Sequence, residues 1–194
     1  MRRALFFSLV AVAAAGCGSS NTVVPAAVRA PPQTARLAWQ ESYPAEAGNP
    51  AALVFGVSSF TVTRDGWTAN VSIANRSGVG WEVGDPRRTV ARVFGVLLFP
   101  NDDLKELDRR NRAGDLPAIR PATSYRPALP LVLRPGKTWK GTIAAPGALA
   151  GGLWVRLSFG TLVSVGAPPI GARPQVVWFT DHAHLLDQVV ADPA

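Results

Sequence analysis

The chain has 194 residues, 47% of them hydrophobic, and a formal net charge of +7. That is enough apolar material for one domain with a core, plus flanking segments. The basic residues are scattered, with no helix-spaced basic stripe and no aromatic interleaving, which excludes nucleic acid as an expected partner. The single cysteine, Cys17, excludes an internal disulfide and a zinc site built on several thiolates.

Arg2 and Arg3 form a positive start, and residues 4–15 form an apolar run. The run is too short to span a bilayer core of about 30 Å and has the length of a signal-peptide core. It ends in Ala14-Ala15-Gly16-Cys17. This resembles the lipobox of bacterial lipoproteins, which are cut before the Cys and carry lipid on the new N-terminus. The lipobox usually has Leu where Ala14 stands. The alternative is an ordinary secretory signal that leaves Cys17 free; the place of the only Cys favours the lipobox. The resemblance implies a signal peptide over 1–16, lipidation of Cys17 by more than one acyl chain, and the membrane as a partner. The protein is then extracytoplasmic, on the cell membrane or outer envelope. Residues 17–52 are rich in Pro and Ala and read as a tether. Within it Arg36-Leu37-Ala38-Trp39 stands out, and Trp39 is expected to dock on the domain.

Residues 53–57 lead into a first strand, and Ser58-Ser59 shifts the apolar phase as a bulge does. Trp67, Ala69, Val71 and Ile73 alternate with Thr68, Asn70, Ser72 and Ala74, a period of two that marks a half-buried strand. Asp65-Gly66 joins the two runs as a hairpin, with Gly66 expected at positive φ. Trp81 is expected to pin the loop after Asn75. Residues 89–99 are apolar on both faces apart from Arg92, so a central strand with a covered second face is expected. Asp102 to Arg110 places acids first and bases last, with Gly114 following: a short helix. Residues 116–130 read as irregular. Arg134-Pro135-Gly136-Lys137 has the chemistry of a type II turn. Trp139 and Ile143 face inward on the next strand. Leu153, Val155, Leu157 and Phe159 do so on the one after it, which leaves Trp154 outward. Residues 176–179 form the last strand. Thr180-Asp181 reads as the cap of a C-terminal helix whose Leu185, Leu186, Val189 and Val190 recur at helical spacing.

About seven strands with turns between them indicate an all-β sandwich. Val71-Ser72-Ile73-Ala74-Asn75-Arg76-Ser77-Gly78 resembles a strand ending of immunoglobulin-like domains in bacterial surface proteins. Leu133-Arg134-Pro135-Gly136-Lys137-Thr138 resembles the opening of a later strand in those domains. The resemblance implies an immunoglobulin-like β-sandwich over 53–194, with the short helix inserted and a short helix at the end.

Chemistry is sparse. No Ser has the flanking glycines of a nucleophile elbow, and no phosphate-binding glycine pattern appears. The chain reads as a non-enzymatic binding or structural module of the cell envelope, with no cofactor. His182 and His184 are the weak metal candidates: they would share a face on a strand and diverge on a helix. A ligand or metal carrier using them, or the Arg-rich stretch 109–126, is the alternative. Arg109, Arg110, Arg112, Arg120, Tyr125 and Arg126 are the expected contact residues for an envelope protein or anionic ligand. Arg and Tyr favour such contacts, and Arg pairs bidentately with carboxylate or phosphate.

Overall fold

The computed structural model describes residues 28–44, 48–83 and 94–188. Cys17, Arg92, Val189 and Val190 lie outside them. The fold is mostly β, in two antiparallel sheets. One has the order β1 (Gln33–Tyr43), β2 (Leu53–Val62), β3 (Gly66–Asn75), β9 (Thr138–Pro146) and β7 (Ser124–Arg126). The other contains β4 (Gly80–Val83), β5 (Phe94–Phe99), β6 (Arg120–Pro121), β8 (Val132–Leu133), β10 (Trp154–Val165), β11 (Gln175–Phe179) and β12 (His184–Leu185). One helix, α1 (Leu104–Ala113), follows β5.

The second sheet is built on β10. Ser158 pairs with Gly95 and with Phe179, and Leu162 pairs with Val83 and with Val176. So β4 and β5 lie end to end along one side of β10. Val155 pairs with Leu98 and with His184, which puts β12 end to end with β11 along the other side. The twelve strand segments among the described residues exceed the expected seven by β1, β4, β6, β7 and β12.

The alternation read from the sequence sets the core. Trp67, Ala69, Val71 and Ile73 are all buried, and so are Trp139, Ile143, Val155, Leu157 and Phe159. These side chains come from both sheets and form one cluster with Phe55, Phe60, Phe94 and Trp81. The register shifts between Val57 and Ser59, as expected of a bulge. Gly66 departs from its expected role. Its φ is not positive; a Cβ there would strike the Ala145 carbonyl oxygen, so close approach of β9 is what requires glycine. At Gly136 the φ is 69°, and Lys137 N–H donates to Arg134 O at 3.1 Å, as a type II turn demands.

The Asn75-Arg76-Ser77-Gly78 stretch is a hydrogen-bonded hub. Asn75 Nδ2 donates to Val79 O (2.7 Å) and Leu133 O (2.9 Å), while its Oδ1 accepts from Ser77 N–H and Oγ–H. Trp81, fully buried, donates from Nε1 to Ser77 Oγ and so pins this loop.

The second face of β5 is covered, as its two-sided apolarity requires. Leu107 of α1 packs with Leu97, Phe99 and Phe179. Trp154, expected outward, packs against that same cluster because the helix roofs its face. The helix starts at the Asp103 cap, whose carboxylate accepts from Lys105 N–H (2.8 Å), and ends at Gly114.

Three expectations are corrected. The tether does not extend to residue 52, since Gln33–Tyr43 is the eleven-residue strand β1, paired with β2. Its half-buried positions alternate from Gln33 to Trp39, and pairing to a sheet edge orders a segment whose composition alone would not. The stretch 116–130 is not wholly irregular: it carries β6 and β7 and crosses from one sheet to the other. No helix begins at Asp181. Leu185 belongs to β12, Leu186 N–H donates to Leu153 O (2.9 Å), and Leu186 is buried in the main core. The free side of β10 below β11 takes the chain as a strand, which outweighs a helical spacing carried by few residues.

Candidate functional site

The six expected contact residues fall on three elements. Arg109 and Arg110 both bind Glu106, at 2.7 and 2.6 Å, and hydrogen bonds from Arg110 and then Arg109 hold the Glu106 carboxyl below its usual range. Arg112 is exposed in the last helical turn. Arg120 lies in β6 and donates to Ala148 O (2.8 Å). Tyr125, in β7 of the other sheet, is half-buried against Phe94 and donates to Ala122 O, and burial raises its pKa. Arg126 is exposed at the end of β7. The helix trio thus lies on α1 over the second sheet, while Tyr125 and Arg126 belong to the first.

His182 and His184 sit in different settings. His184 sits in β12 opposite Val155. His182 belongs to a seam that joins β1 to β11 and β12. Its Nδ1 lies 2.8 Å from Glu41 Oε1, and its backbone N–H donates to the same oxygen at 3.0 Å. Glu41 Oε2 accepts from Trp178 Nε1 (2.8 Å), and Trp39 stacks on His182 with ring centroids 5.7 Å apart. Glu41 is buried in this role. Among the described residues no group of three or more His, Cys, Asp or Glu is placed to hold a metal ion.

Next to the seam lies Arg156, 1% exposed, on the α1 face of β10. Its guanidinium donates to Thr180 O (3.0 Å), Asp181 O and Asp102 O (2.6 Å) and lies over the Phe99 ring, while Nε has no partner among the described residues. Desolvation pushes its pKa down, and Asp181, Asp102, Glu41 and Asp103 pull it back. These bonds tie the start of α1 and the loop after β11 to one side chain, a structural role.

One surface open to a ligand is the outer face of the five-stranded sheet. A groove of about 580 Å³ runs over it, lined by Gln40, Gly56, Asn70, Ser72, Lys140 and Arg126 among others. Two adjacent register shifts, at Arg36/Trp39 in β1 and Val57/Ser59 in β2, lie beside it and bend the strands. A Cβ at Gly56 would stand 2.6 Å from Ser72 Oγ, so the glycine keeps the floor low. Asn70 is held at the centre: Nδ2 donates to Ser59 Oγ (2.8 Å) and Oδ1 accepts from Thr142 Oγ1 (2.6 Å). The sequence did contain this face, as the residues alternating with the core positions. Small polar side chains read there as mere solvent-facing filler, and the concavity comes from bulges whose effect on shape has no residue signature.

No protein-family model, no curated protein and no solved structure matches this chain.

Proposed function

We propose that the protein is a lipid-anchored, extracytoplasmic module of the cell envelope, with an immunoglobulin-like sandwich that binds or scaffolds and performs no catalysis. The observation that carries this reading is the Ala14-Ala15-Gly16-Cys17 motif, with the chain's only cysteine at the lipidation position, ahead of a two-sheet domain. The strand-ending motif at Asn75 and the turn at Pro135-Gly136 support the immunoglobulin-like reading, as Asn75 donates to Leu133 O and to Lys137 O. Among the described residues no helix is long and apolar enough to cross a membrane. This reading assigns the anchor to Cys17, and durable attachment takes more than one acyl chain.

The test is Cys17→Ser with membrane fractionation and fatty-acid labelling. The variant should lose the label and either leave the membrane fraction or accumulate as an uncleaved precursor. Membrane association unchanged, with cleavage intact, defeats the reading.

A further inference from the structure

We propose that the outer face of the five-stranded sheet binds an acidic polysaccharide strand laid across β1, β2, β3, β9 and β7. This deepens the binding-module reading by naming a ligand class, and it stands apart from lipidation.

The first argument is charge. The outward positions of these strands carry Arg36, Lys140 and Arg126, all exposed, and among the described residues no Asp or Glu. None of the three makes an ion pair among the described residues. The acids collect elsewhere, with Asp102, Asp103, Glu106, Asp108 and Asp115 on or beside α1 over the opposite sheet. A face of unpaired cations attracts an anion.

The second argument is register. Arg36 pairs with Ser59, Ser59 with Asn70, Asn70 with Thr142, and Thr142 with Arg126. One row thus crosses the sheet with an arginine at each end. Four strand spacings make it roughly 19 Å long, room for several linked sugar units. The next row runs Gln40, Gly56, Ser72, Lys140. Between the cations every side chain in these rows is an amide, a hydroxyl or glycine. Asn70 spends one of its two N–H donors on Ser59 and one acceptor site on Thr142, so its amide is oriented and has one of each left.

The third argument is what the face lacks. A protein interface centres on aromatic or apolar anchors, and single-stranded nucleic acid needs exposed aromatic rings for stacking. The two rows named above have neither, although Leu37, Trp39, Val57 and Pro127 also line the groove. The donors and acceptors of those rows, flanked by cations, fit a chain of hydroxyls punctuated by carboxylates.

The test is calorimetric titration of the purified full chain with oligogalacturonate of defined length. Neutral dextran and inorganic polyphosphate are titrated alongside. Saturable binding is expected for oligogalacturonate, at least about tenfold tighter than for either control, because both the charges and the hydroxyl partners are then used. Lys140→Gln with Arg126→Gln should weaken it about tenfold or more. Asn70→Ala should weaken it several-fold without changing the salt dependence. Arg134→Gln with Lys137→Gln removes equal charge at the turn before β9 and should leave binding intact; thermal melts confirm that all variants fold. Equal loss in the turn pair, polyphosphate binding as tight as the oligosaccharide, or no saturable binding overturns the proposal. None of these outcomes bears on whether Cys17 is lipidated.

Discussion

Arg156 shows how much one side chain can organise. Its three carbonyl partners come from the residue before the Asp103 cap and from the loop between β11 and β12. Arg156→Met relieves a desolvated cation and an unpartnered Nε but leaves three carbonyls without their donor. At roughly 1–3 kcal/mol for each buried group left unsatisfied, with water reaching part of the loop, the loss should be about 2–4 kcal/mol in denaturant melts. Arg156→Lys should recover only a small part, because a point ammonium cannot span partners that a planar fork reaches together. Asp181, next to it, behaves in the opposite sense to a salt-bridged acid. Partial desolvation first, then the charges of Glu41 and Asp108, raise its pKa above the ordinary 3.8. The folded state therefore holds this proton more tightly than the unfolded chain. Its stabilising contribution is complete below pH 3.8 and is lost as pH rises through the raised value. Asp181→Asn should melt higher than wild type at pH 7, with the gain shrinking to nothing in acid; a constant difference across pH would contradict this.

Among the elements, α1 was the one most completely legible. Its cap, first-turn acid, last-turn arginines and terminal glycine are all local signals, and all appear where local chemistry puts them. Its burial was legible only indirectly, through the apolarity of β5 on both faces. Leu107 is the buried contact the helix makes with Leu97, Phe99 and Phe179. Leu107→Ala should cost about 2–4 kcal/mol and should expose Trp154, readable as a red shift of tryptophan emission before global unfolding. Legibility failed for β1 and β12. Both are strands because a neighbour offers an unpaired edge, at β2 and at the lower half of β10. The partner is the next strand for β1 and β10 for β12, and in neither case does the composition of the segment itself announce the pairing. The same limit applies to His182. Its stack on Trp39 and its bond to Glu41 bridge more than 130 residues of chain.

At the scale of the whole molecule, charge and topology each divide the protein. The cations of the outer sheet face and the acids around α1 sit on opposite layers, so an anionic surface would meet the five-stranded sheet first. The second sheet is divided along its length as well. On one side of β10, β4 pairs with Leu162–Val165 and β5 with Trp154–Phe159; on the other, β11 pairs along Ser158–Val163 and β12 with Trp154 and Val155. Between Ser158 and Thr161 β10 itself carries a register shift. The two junctions are staggered: β11 runs past the one between β4 and β5, and β5 pairs with Arg156 and Leu157 across the one between β11 and β12. Load applied along the strands is therefore shared by β10 with β11 at one junction and with β5 at the other. Tension would thus have to part β10 from a bonded neighbour at either junction before this sheet yields.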